Sequence, residues 1–150
     1  MGVQELRASI HAAFESVPHP GYDRVVTHDC EECDEVRRDF GSTTWDRISP
    51  AIIDANYDKL PLLSPEGFRH FLPSFLMRAL DDPNSNVREY TILGLFSSQT
   101  DWYARRIQPL SLREVQVVSD FLNFVLEDAV WPDVEDIRRA LNLWNNSFPP

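Results

Sequence analysis

A chain of 150 residues with 24 acidic against 14 basic side chains carries a net charge of −10, a balance that repels phosphate backbones and speaks against nucleic-acid binding. Hydrophobic residues at 43% and aromatics at 11% exclude a disordered protein, and no apolar run approaches the roughly 20 residues that span a bilayer. The length suits a single domain over 1–150 with its own core, and an N-terminus without a signal-peptide core points to the cytoplasm.

Val3, Leu6, Ile10, Phe14 and Val17 recur at three- and four-residue steps and predict a first helix over 3–17. Pro18, Pro20 and Gly21 end it in a surface loop. Arg24 to Thr27 reads as a short extended piece, and Cys33, Val36 and Phe40 give a second, short helix that stops near Gly41, expected in the left-handed conformation. Trp45 and Ile48 look like anchors of the next connection. Ser49-Pro50 and Ser64-Pro65 are cap-then-proline starts of two more helices.

The second of these is the densest apolar stretch, about 64–80, with Phe68, Phe71, Leu72, Phe75, Leu76, Ala79 and Leu80 on one broad face. Pro73 inside it predicts a kink or a split. Asp81 to Asn86 is a turn by composition, and Val87 to Phe96 favours helix over strand because no partner strand is evident. Trp102 to Leu110 suggests a short helical piece, Ser111-Leu112-Arg113-Glu114 has capping-box spacing before a long helix, and Pro132-Asp133 opens the last helix, ended by Asn145-Asn146. The expected fold class is all-α, a compact bundle of about six or seven helices around a Pro-kinked central one.

The segment Leu62-Leu63-Ser64-Pro65-Glu66-Gly67-Phe68-Arg69-His70-Phe71-Leu72-Pro73 resembles the signature of a family of small, uncharacterised bacterial proteins. Ala13-Phe14 before the Pro-rich turn, the Cys30-x-x-Cys33 segment before Trp45, and the closing Ala140 to Trp144 keep the same order. The resemblance implies a helical bacterial domain and no catalytic residue. Gly67 stands where that signature has Ala, a departure expected to weaken the helix by roughly 1 kcal/mol if the position is interior.

One cluster has metal-ligand character. His28, Cys30 and Cys33 can hold Zn²⁺ from a loop-to-helix turn, with His70, His19 or a nearby carboxylate as the fourth ligand. Two other readings stand beside zinc: a labile disulfide, or two reduced cysteines with Cys33 in the core. Glu31, Glu32, Asp34 and Glu35 favour a bound cation and suppress a thiolate nucleophile. His70 is expected either to reach a pocket or the metal, or to lie with Arg69 on a narrow polar side of its helix.

No Gly-x-Ser-x-Gly elbow, Gly-rich phosphate loop or His-Glu-x-x-His is present, so enzymatic activity is the minority expectation. The charge and the fold class lead to a non-enzymatic binding protein of immunity or antitoxin type. It would meet a basic protein partner through Glu31, Glu32, Asp34 and Glu35, with Trp102 and Tyr103 after a polar loop as aromatic anchors. The alternative is a small zinc-binding protein or metal-dependent enzyme built on His28, Cys30 and Cys33. Oligomerisation through the aromatics is a third.

Overall fold

Ser49, Ser64 and Ser111 each accept a backbone N–H from the first turn of the helix that follows, from Ile52, Gly67 and Glu114 respectively. These caps satisfy donors that a helix start leaves orphaned. The starts expected at the two Ser-Pro pairs and at the capping box are therefore all formed. At the last of them Glu114 also reaches back to the Ser111 N–H at 2.7 Å, which completes the box.

The computed structural model describes residues 1–130 and 133–146. Eight α-helices occur among these residues: α1 (Val3–Phe14), α2 (Glu31–Phe40), α3 (Pro50–Ala55), α4 (Pro65–Asp81), α5 (Asn86–Leu93), α6 (Thr100–Arg106), α7 (Leu112–Leu126) and α8 (Asp133–Asn145). Short 3-10 turns lie at Tyr22–Arg24 and Leu60–Leu62. The one β-like contact among the described residues is an isolated antiparallel bridge between Val26 and Leu63; the extended piece expected over Arg24 to Thr27 shrinks to this bridge, because Arg24 closes a 3-10 turn and Val25 is helical at φ −65° and ψ −36°. The all-α class is the observed one. Trp131 and Pro132 fall outside the described residues.

The chain divides into two compact units, Ser16–Thr91 and Met1–Glu15 with the described residues from Ile92 onward. In the second of these, α7 packs against both α1 and α8. Leu6, Ile10 and Phe14 of α1, Val118, Phe121 and Leu122 of α7, and Ile137, Ala140 and Trp144 of α8 are buried, as their three-and-four spacing requires. Trp144 is fully enclosed, and its indole N–H donates to the Leu95 carbonyl at 2.6 Å. That bond meets the need of a buried indole for an acceptor.

In the unit Ser16–Thr91, α4 carries the largest share of the core. Phe68, Phe71, Leu72, Phe75 and Leu76 are all fully buried. Phe40 at the end of α2 meets Phe71 edge-on at 4.9 Å and stacks parallel to Phe75 at 6.1 Å. Pro73 is buried within α4 and the helix continues through it to Asp81, so the expected split does not occur. The outer side of α4 is tied to α3 by a two-pronged ion pair, Arg78 Nε to Asp54 Oδ1 at 2.7 Å and Arg78 Nη2 to Oδ2 at 2.8 Å. The fork holds the Asp54 carboxyl below its ordinary value.

Two glycines sit where backbone or ring atoms leave no room for a Cβ. At Gly67 a Cβ would lie 2.5 Å from the Val25 carbonyl oxygen, because the 24–26 segment crosses the first turn of α4 and accepts the Ser64 N–H there. At Gly41 the backbone is right-handed, φ −66°, rather than left-handed as expected from a helix-ending glycine. The reason for glycine there is the Tyr22 ring, 2.4 Å from the position a Cβ would take.

Candidate functional site

The start of α2 gathers most of the residues singled out from the sequence. Cys30 is the N-cap: its backbone is extended and its sulfur accepts the Cys33 N–H at 3.2 Å. Cys33 points inward with Val36 and Phe40 and has no exposure, whereas Cys30 is exposed. Both thiols are free. Cys33 is pushed up to about 11, first by its hydrogen bond to Cys30 and then by burial.

Around this turn the exposed side carries Asp29, Glu31, Glu32, Asp34 and Glu35, five of the chain's 24 carboxylates within seven residues. Lys59 binds Glu32 across the surface, and Arg37 binds Asp34 at 2.9 Å and lies 3.6 Å from Asp29. The inward stripe of Cys33, Val36 and Phe40 fixes the helix, so the carboxylates are displayed from a firm support.

His70 has a different fate from either expectation. It is 2% exposed, and each ring nitrogen is committed to backbone. The Trp45 N–H donates to Nε2 at 3.1 Å, which leaves Nδ1–H to donate to the Val17 carbonyl at 3.1 Å. One turn along α4, Ser74 Oγ donates to the Trp45 carbonyl at 2.7 Å. His70 and Ser74 together therefore satisfy both backbone groups of Trp45, and His70 binds the chain 53 residues earlier as well. Burial holds His70 below the ordinary imidazole value, consistent with a neutral ring that must accept at one nitrogen.

His19 works in parallel. The Gly21 N–H donates to its Nδ1 at 2.9 Å, so Nε2–H faces the Phe40 carbonyl at 3.2 Å. Its ring meets that of His70 edge-on, 5.1 Å between centroids.

The proposed zinc ligands do not assemble into one set. His28 is exposed, Cys30 caps a helix, Cys33 is enclosed and His70 has both nitrogens occupied by backbone. Among the described residues no group of three or more His, Cys, Asp or Glu side chains has a metal-holding arrangement. A tetrahedral site needs four converging donors, and this arrangement does not fit one.

Trp102 and Tyr103 lie in α6, both half-buried, with the Arg106 guanidinium 6.0 Å from the Trp102 ring centroid. Tyr103 lines a cleft of about 260 Å³ with Ser97, Ser98, Gln99, Thr100 and Leu143. A neighbouring cleft of about 680 Å³ shares Ser97, Ser98 and Leu143 and adds Phe96, Arg139 and Asn142. The polar loop before Trp102 was visible in the sequence, but its facing wall on α8 depends on a long-range contact that no local pattern encodes. No helix among the described residues is long and apolar enough to cross a membrane.

No curated protein and no solved structure matches the chain. Residues 3–147 match the family of unknown function DUF6714, and the chain belongs to that family.

Proposed function

We propose that this chain is a non-enzymatic bacterial binding protein, of immunity or antitoxin type, that meets a basic protein partner on the carboxylate edge of α2. The observation that carries the reading is the exposed run Glu31, Glu32, Asp34 and Glu35 on a helix whose opposite face is fully buried. A partner's Lys and Arg residues would meet carboxylates on a backbone already fixed by the buried face of α2, Glu31 and Glu35 directly and Glu32 and Asp34 by exchange from Lys59 and Arg37. The chain's net charge of −10 adds a long-range attraction for any basic surface. The half-buried Trp102 and Tyr103 enter the same reading as aromatic anchors.

The test begins with affinity capture from the native host, directed first at the product of the neighbouring gene, followed by association kinetics at rising salt. The association rate is expected to fall steeply between low and physiological ionic strength. Replacing Glu31 and Glu35 together by Lys is expected to slow association by about tenfold while leaving dissociation nearly unchanged. Capture of no partner, or an association rate indifferent to salt, would sink the reading.

A further inference from the structure

The partner reading leaves the two cysteines unused, and their placement is asymmetric. Cys30 is exposed at the cap of α2 and Cys33 is fully enclosed one turn later. The Cys33 N–H already reaches the Cys30 sulfur at 3.2 Å, which holds the cap sulfur against the turn that carries Cys33. Closing a disulfide from this contact calls for the Cys30 sulfur to turn from the Cys33 N–H to the sulfur of the same residue, a rotation about side-chain bonds. We infer that Cys30 and Cys33 form a reversible dithiol–disulfide couple that exchanges with a low-molecular-weight disulfide, Cys30 being the entry sulfur and Cys33 the resolving one.

The steps balance without any other reagent. The Cys30 thiolate attacks one sulfur of the small disulfide, breaks its S–S bond and releases one small thiolate, which takes up the Cys30 proton. Cys33 then gives up its proton, attacks Cys30 in the mixed disulfide and expels the second small thiol, which carries that proton. The protein dithiol loses two electrons and two protons, and the small disulfide becomes two thiols. Only Cys30 is open to solvent for the first step, and only Cys33 stands against it for the second.

The neighbouring carboxylates set the character of the couple rather than forbidding it. Glu32 and Asp34 are drawn off by Lys59 and Arg37, while Arg37 also lowers and Glu32 raises the Cys33 thiol. With Cys33 held protonated by its contact with Cys30 and by burial, Cys33 adds no thiolate stabilisation to the reduced form. The inference does not depend on the proposed partner.

The experiment equilibrates the full chain with mixtures of reduced and oxidised glutathione, blocks remaining thiols with iodoacetamide and reads intact mass. The wild type is expected to lose both alkylation sites together, with no mass added. Cys33→Ser is expected to trap one glutathionyl group on Cys30, at a level about tenfold or more above that in the wild type, because nothing resolves it. Cys30→Ser is expected to take up almost none. Circular dichroism of each variant establishes that it is folded, and the wild-type titration stands without either of them. A wild type that accumulates stable glutathionylation, loses the two thiols independently, or stays reduced in excess oxidised glutathione overturns the inference.

Discussion

His70 shows how a single polar residue in an apolar helix can serve the fold through both ends of its ring. Its Nε2 has to remain an acceptor for the Trp45 N–H, so protonation replaces an N–H···N bond by two N–H groups facing each other. The groups around it pull in both directions: burial above all, and then His19, disfavour the charged ring, while the Val17 and Pro18 carbonyls and Asp46 favour it, and the net effect is a lowered value. The folded state thus binds fewer protons than the unfolded one, whose imidazole titrates near 6.5. The contribution is complete above about pH 6.5 and is lost as the pH falls toward the lowered folded value. Urea midpoints measured from pH 7.5 to 5 are expected to fall in the wild type, and the part due to His70 is expected to vanish in His70→Phe. At neutral pH, His70→Ala is expected to cost about 2–4 kcal/mol, since it leaves the Val17 carbonyl and the Trp45 N–H without their partner and opens a cavity. A pH dependence identical in wild type and His70→Phe would refute the assignment. None of this was legible locally, because Val17 and Trp45 are 53 and 25 residues away from His70 in sequence.

At the scale of elements, the signals that proved readable were those written within one or two turns. The two Ser-Pro starts, the capping box at Ser111 and the helical spacing of α7 and α8 all depend on neighbours three or four residues apart, and all are formed. Gly67 marks the limit of that kind of reading. Helix propensity alone makes Gly67→Ala a gain of roughly 1 kcal/mol. The Val25 carbonyl 2.5 Å from the new Cβ reverses the sign, because it is backbone held by the Ser64 N–H and by the bridge from Val26 to Leu63. Pushing that segment away also weakens the Ser64 hydroxyl's bond to the Arg24 carbonyl. Gly67→Ala is therefore expected to destabilise by about 1–3 kcal/mol in thermal or urea melts, as other small-to-large changes at tight positions do. A stabilised variant would mean that the 24–26 segment moves away freely. Pro73 meets a related limit: its missing ladder bond was visible in sequence, whereas the aromatic packing that encloses a helix continuous through it was not.

For the molecule as a whole, charge is the property most directly readable from composition, and its consequences oppose one another. Individual ion pairs such as Lys59 with Glu32, Arg37 with Asp34 and Arg78 with Asp54 join partly exposed groups. Each such pair contributes about 0–1 kcal/mol, and salt weakens it. Against them stands the mutual repulsion of a chain with ten more acidic than basic side chains, which salt also weakens. The local turn at α2 concentrates this repulsion, since Glu31 and Glu35 join three further carboxylates there. The candidate site was legible to that extent: the residue types and their order were plain, but which carboxylates a distant Lys59 or Arg78 would pair was not. Raising sodium chloride from about 0.01 M to about 0.15 M shortens the Debye length from about 30 Å to about 8 Å, which removes long-range repulsion more completely than contact attraction. The thermal midpoint is therefore expected to rise by a few degrees over that range. Glu35 lies beyond the first turn of α2, the turn in which the helix dipole favours a carboxylate, so Glu35→Lys is expected to raise it at low salt and to narrow the difference at high salt. A midpoint that falls with salt would mean that the contact pairs outweigh the net charge, and would weaken the case that the α2 edge carries uncompensated field for a basic partner.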